Sequence, residues 1–232
     1  MPRTAAVFFD VDFTLIHPGP RFQGRGYASS CAEYGIAIDA TRFEAAVTGA
    51  SSLLDSPDQL YDDALFVRYT SRIIELMGGT GPDVDTVARA IYDDWAEHRH
   101  FELYDDVPDA LRALQALGYR LGLISNSHRP LDSFSTHFAL DGLISAAISS
   151  SDHGFLKPHP SIFRAALDLM RVQPGEAVMV GDSLAHDIVG ARQAGMRGVW
   201  LARGDGRVPE AGDIPVIRSL RELPDLLADE AS

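Results

Sequence analysis

Two regimes of hydrophobic patterning divide the chain. Ala5 to Phe9 is a short unbroken apolar run, the mark of a strand buried on both faces. A Pro/Gly-rich stretch follows, His17-Pro18-Gly19-Pro20 through Gly24 and Gly26, and reads as a loop or linker. From about Tyr27 to His100 the period becomes helical. Leu65, Phe66 and Tyr69 begin an apolar face that Ile73, Ile74, Leu76 and Met77 continue, and a further helix is expected from Val84 to Trp95 and beyond. No strand stands out there, so residues 17–102 are expected to form an all-helical insertion.

From about residue 103 the pattern changes to short apolar runs alternating with helical ones. Asp106 and Pro108 start a helix that runs to Leu117 and stops at Gly118. Strands are expected at Leu121–Ser125, Leu143–Ile148, Ala177–Val180 and Gly198–Leu201. Helices are expected at Pro130–Phe138, Pro160–Met170, Leu184–Ala194 closed by Gly195, and Leu220–Ala228. Such alternation predicts an α/β fold, a Rossmann-like parallel sheet with helices on both faces, built from residues 1–16 and 103–232.

Composition narrows the field. The chain has 232 residues, 46% of them hydrophobic and 23% charged, as in a soluble globular protein. Its net charge of -13 repels phosphate backbones and anionic lipid, so neither nucleic acid nor membrane is expected as a partner. The single cysteine, Cys31, has no intrachain disulfide partner and reads as a buried thiol in a helix. No apolar run is long enough to span a bilayer, and Met1-Pro2-Arg3-Thr4 does not open a signal peptide. A cytoplasmic monomer or homodimer is the expectation.

The polar residues at the strand ends carry the chemistry. Asp10 and Asp12 sit at positions i and i+2, on one side of an extended backbone, and two like charges so close require a cation or a shared proton. Thr14 follows them. Ser125 and Asn126 end the next strand, Lys157 follows the third, and Asp182 follows the fourth with Asp187 on the helix behind it. In a parallel sheet all these ends share one edge. His17, Arg21 and Gln23, and His128 and Arg129 after Ser125, read more simply as solvated loop residues.

These motifs resemble those of the haloacid dehalogenase superfamily, subfamily I, with a helical cap. Asp10-Val11-Asp12-Phe13-Thr14 matches DxDxT, Ser125 the second motif, Lys157 before Pro158 the third, and Gly181-Asp182-Ser183 with Asp187 the fourth, in order across nearly the whole chain. The insertion at 17–102 resembles that subfamily's cap. The resemblance implies a Mg2+ cofactor and a covalent aspartyl-phosphate. Asp10 would be the nucleophile and Asp12 the general acid and base. Asp10 and Asp182, with the main-chain carbonyl of Asp12, would hold the metal, and Asp187 would act through water. Thr14, Ser125 and the amide of Asn126 would hold phosphoryl oxygens, and Lys157 would offset their charge.

Phe13 departs from the glycine usual at that position of family phosphatases. Asp12 excludes the dehalogenase branch, which lacks that residue. The phosphonate-cleaving branch needs a cap lysine, and residues 17–102 contain none. The reading that follows is a Mg2+-dependent phosphatase acting on a small phosphorylated metabolite. Its alternatives are a phosphomutase on sugar phosphates, or a catalytically idle binding protein on the same fold.

Overall fold

The computed structural model describes residues 4–54, 60–204 and 212–229. The chain divides into two compact units, one made of the residues up to His17 and from Leu103 onward, the other of Pro18–Glu102. In chain order the strands are β1 (Ala6–Phe9), β2 (Ile16–Pro18), β3 (Phe101–Leu103), β4 (Arg120–Ser125), β5 (Ile144–Ser149), β6 (Ala177–Gly181), β7 (Arg197–Leu201) and β8 (Val216–Ile217). Six of them form a sheet in the order β5-β4-β1-β6-β7-β8, every neighbouring pair parallel. This is the Rossmann-like α/β sheet that the patterning predicts. β2 and β3 pair as a separate two-stranded sheet.

The apolar run of β1 is explained by its central place. All four residues are buried. Ala6 and Phe8 join Ile162, Phe163, Ala166, Leu167 and Met170 of the helix Pro160–Met170 in one core cluster. Val7 and Phe9 point to the other side of the pleat and are equally buried. Burying each such aliphatic or aromatic side chain contributes about 1.5–3 kcal/mol. The helix Pro160–Met170 starts with proline in its first turn, is capped by His159, and stops where Arg171 turns left-handed at φ 52. Val107–Ala116 buries Val107, Ala110, Leu111 and Leu114, one stripe at helical spacing, and ends ahead of Gly118 at φ 90.

The strand order sets the position of the site. From β1 the core chain moves outward through β4 and β5, then returns to the other side of β1 as β6 and moves outward again through β7 and β8. The direction of winding reverses between β1 and β6. The crevice at the carboxyl ends of strands at such a reversal is where open α/β sheets bind ligands.

The second unit contains the helices Gly24–Ala32, Phe43–Ala50, Asp63–Leu76 and Val84–Asp94, joined by 3-10 turns. Asp62 caps the third by accepting the Ala64 N–H, and the helix buries Leu65, Ile73 and Ile74 as its apolar face predicts. Cys31 is buried in the first helix, as expected.

Several expectations on local structure are corrected. The Pro/Gly-rich stretch is no simple loop: it contains β2, a 3-10 turn at Pro20–Phe22 and the start of a helix at Gly24. The expected helix Pro130–Phe138 shrinks to Phe134–His137. Leu184–Val189 is a π-helix that gives way to an α-helix at Gly190–Gln193, because the Ser183 carbonyl accepts the Asp187 N–H at 2.9 Å and also the Ile188 N–H at 3.4 Å. β8, at the sheet edge, is a sixth strand that the pattern did not indicate. Among the described residues no helix is long and apolar enough to cross a membrane.

Candidate active site

Asp10 leaves the end of β1 while its backbone N–H still bonds the Val180 carbonyl of β6 at 2.9 Å, so the sheet itself fixes its position. Its carboxylate meets Lys157. The Lys157 ammonium donates to Asp10 Oδ1 at 2.5 Å, to Asp187 Oδ1 at 2.7 Å and to the Ile124 carbonyl of β4 at 2.9 Å. Three donors thus meet three acceptors, a match for a compact ammonium rather than a planar guanidinium. Lys157 is the only lysine of the chain. It is 3% exposed, Asp10 7% and Asp187 1%.

Asp182, one residue past β6, completes the cluster: carboxylate oxygens of Asp10, Asp182 and Asp187 all lie within 4.8 Å of one another. Gly181 makes that packing possible, since a Cβ there would lie 2.2 Å from Asp187 Oδ2. The same Oδ2 accepts the Ser183 N–H at 3.0 Å.

Three carboxylates lie about one ammonium, and the balance shows at Asp10 and Asp182. Burial drives the Asp10 carboxyl up to about 6, against the pull of Lys157 and with the push of Asp187. Burial, Asp10 and Asp187 drive Asp182 up to about 8, with Lys157 opposing. Burial works to lower the Lys157 ammonium, yet Asp10 and Asp187 raise it overall. The cluster therefore holds more negative charge than Lys157 neutralises. Its donors are all oxygen, the set a hard divalent cation prefers.

A second group of contacts orients Asp182. Its N–H donates to the Thr14 hydroxyl at 3.1 Å, and that hydroxyl lies 3.4 Å from Asp182 Oδ1. The Trp200 indole N–H donates to its carbonyl at 2.8 Å. Arg203 donates to the Thr14 carbonyl at 2.7 Å and stacks 3.8 Å over the Tyr104 ring. Phe13 stands between the two motif aspartates and Thr14 at φ 64, with 44% of its surface exposed. Left-handed backbone there explains why glycine suits the position, and a side chain costs about 1–2 kcal/mol.

Asp10, Lys157, Asp182 and Asp187 thus come together directly. Ser125 is buried at the end of β4, its hydroxyl 2.9 Å from that of Ser127. Two side chains expected at the phosphate make contacts with other residues of the site. Thr14 holds Asp182. The side-chain amide of Asn126 donates to the Lys157 carbonyl at 2.9 Å and accepts the Lys157 N–H at 2.7 Å, so it fixes the lysine's backbone. The Asp12 carboxylate, for its part, stands outside the three-carboxylate cluster.

Asp12 pairs instead with Arg129, whose Nη1 donates to Oδ1 at 2.9 Å and to Oδ2 at 3.1 Å. Burial raises Asp12 above the ordinary carboxylate range, and Arg129 opposes the rise. Arg129, expected to be a solvated loop residue, is 1% exposed. Arg21 is likewise ion-paired, with Asp94 inside the helical unit. His17 packs its ring 4.9 Å from Tyr104, and Gln23 is exposed as expected.

Comparison with known proteins gives a consistent picture. A family model described as haloacid dehalogenase-like hydrolase matches residues 4–195. The chain is 31% identical to N-acylneuraminate-9-phosphatase of Mus musculus, over 98% of this chain and 95% of that one. It is 29% identical to haloacid dehalogenase-like hydrolase domain-containing protein 3 of Danio rerio, over 94% of both. Among solved structures, a HAD phosphatase from Thermococcus onnurineus is 28% identical and aligns with a TM-score of 0.66 over 97% of this chain and 98% of its own.

Proposed function

Because the chain belongs to the haloacid dehalogenase-like hydrolases, we propose that it is a Mg2+-dependent phosphatase that hydrolyses a small phosphate monoester through a phosphoryl-Asp10 intermediate. The observation that carries this reading is the Asp10–Lys157–Asp187 chain of buried ion pairs with Asp182 beside it, at the reversal of the sheet. The relatives named as phosphatases support the same reaction class.

Asp10, Asp182 and Asp187 suit the metal, with the main-chain carbonyl of Asp12 as a further oxygen. Bound there, Mg2+ would neutralise charge on the phosphoryl oxygens. The rest falls to the chain's own residues. Lys157 holds one oxygen of Asp10 and leaves the other to attack phosphorus. As the new bond forms, the ester oxygen departs with the proton of the Asp12 carboxyl. Asp12 then takes a proton from water, whose oxygen attacks phosphorus. The bond to Asp10 breaks, inorganic phosphate leaves and both carboxyl groups return to their starting states. The raised proton affinity of Asp12 suits a group that must both give and take a proton. Ser125 is the proposed phosphoryl contact, and Pro18–Glu102 the proposed cap that selects the ester.

The test is phosphate release from an aryl phosphate and from a panel of sugar phosphates, phosphoglycolate and nucleoside monophosphates, with Mg2+ or with a chelator. Metal-dependent release that disappears in Asp10→Asn is expected. Isomerised sugar phosphate without free phosphate would make the protein a mutase, and release that persists in the chelator would contradict the metal's role.

A further inference from the structure

The buried Arg129–Asp12 pair goes beyond the four motifs. Arg129 lies four residues past Ser125, on the loop that leaves β4, and pairs with a residue 117 positions earlier in the chain. A guanidinium withdrawn from water costs several kcal/mol unless a charge meets it. Here one nitrogen, Nη1, donates to both oxygens of a single carboxylate. That contact fixes the direction in which the Asp12 carboxyl faces as well as its place.

Asp12 has need of such a holder. Asp10 is fixed by the sheet and by Lys157. Asp12 lies past the end of β1, in the tight turn where the Phe13 N–H bonds the Ile16 carbonyl at 2.7 Å and the Leu15 N–H bonds the Val11 carbonyl at 2.9 Å. Its side chain is 16% exposed against 0% for that of Arg129, so a buried cation grips a carboxylate whose own segment is a turn.

We propose that Arg129 is a positioning residue for proton transfer, acting through Asp12 by holding its carboxyl group where it can reach the departing ester oxygen. Arg129 itself touches neither phosphorus nor the leaving group. This rests on the phosphatase reading above. It adds to that reading a residue from the β4 loop and a consequence for substrate range. The proton matters most when the leaving oxygen is basic, as in an alkyl phosphate, and least when it is a good leaving group, as in 4-nitrophenyl phosphate. A misplaced Asp12 therefore narrows the enzyme towards activated esters, whereas general damage to the fold reduces both alike.

The experiment measures kcat/KM for an alkyl phosphate from the panel and for 4-nitrophenyl phosphate in the wild type, Arg129→Met, Arg129→Lys, Asp12→Asn and the Asp12→Asn/Arg129→Met double variant. Thermal melts accompany the kinetics. Arg129→Met is expected to lose at least about tenfold more on the alkyl ester than on the aryl ester, within the range that acid–base catalysis supplies. Arg129→Lys, which keeps a cation for Asp12 and serves if the Met variant does not fold, is expected to recover part of that loss. In the double variant the Arg129 change is expected to add little, since its route through Asp12 is already cut. Equal losses on the two esters, or full additivity in the double variant, would overturn the positioning role while leaving the phosphatase intact. A wild type that releases phosphate from neither ester would overturn both, and the wild-type measurement alone reveals that case.

Discussion

At the scale of single residues, the site depends on side chains that hold other side chains. Thr14 is fully buried, and its hydroxyl receives the N–H of Asp182. Thr14→Val keeps the shape but leaves that N–H without its acceptor, a loss of about 1–3 kcal/mol. The variant is expected to fold, to melt at a lower temperature and to require more Mg2+ for half-maximal phosphate release, while Thr14→Ser behaves as the wild type. An unchanged Mg2+ requirement in Thr14→Val would contradict the orienting role. Asp10 and Asp182 were legible because each follows a strand marked by its own apolar run, and Lys157 and Asp187 because they complete the order of the motifs. Arg129 was not. In Ser127-His128-Arg129-Pro130 nothing local marks burial, and its partner follows a different strand, 117 positions earlier in the chain. The contacts that Thr14 makes with Asp182 and Asn126 with the Lys157 backbone were not legible, because spacing places a hydroxyl or an amide near a site without saying which group it faces.

At the scale of elements, Asp106 joins three segments of the core unit. It accepts from Arg203 Nη1 at 3.1 Å and Nη2 at 3.0 Å, from the Ser219 hydroxyl at 2.7 Å and from the Leu220 N–H at 2.8 Å. It thereby connects the start of Val107–Ala116 to the residues after β7 and to the 3-10 turn that leads into the final helix. Burial pushes its carboxyl up, but the hydrogen bonds from Arg203, Ser219 and Leu220 outweigh this and hold it below the ordinary range. A folded-state pKa below the unfolded one gives stability that is complete above about pH 4 and disappears as pH falls through the folded value. Asp106→Ala is expected to cost on the order of 3 kcal/mol in urea melts at pH 7, and the gap to wild type is expected to close in more acidic buffer. A gap that stays constant into acid would contradict the ionised pairing. The long elements here follow from periodicity, since Val107–Ala116 and Pro160–Met170 bury one stripe each. β2, β3 and β8 have two or three residues apiece and exist through pairing, which no local pattern reports. The π-helix before Gly190 is equally silent, as it comes from one carbonyl that accepts two N–H groups.

At the scale of the whole molecule, an acidic chain gathers buried charge of both signs at one point. The net charge is -13, yet Lys157 and Arg129 are both buried, each paired with one of the two aspartates of the first motif. The sheet order accounts for this convergence: β1 lies between β4 and β6, so their loops all open beside Asp10. The fold class was legible from the alternation of apolar runs, and the family from the order of its motifs. The ester was not, because recognition of a leaving group depends on surfaces that spacing does not encode. The central claim is that Asp10 accepts the phosphoryl group. The most direct test is rapid quenching of the enzyme during turnover of its best ester in Mg2+, followed by peptide mapping of the acyl phosphate. A phosphoryl adduct on the peptide containing Asp10, absent from Asp10→Asn, is the result expected here. An adduct on another residue, or Asp10→Asn that turns over like the wild type, would contradict the account.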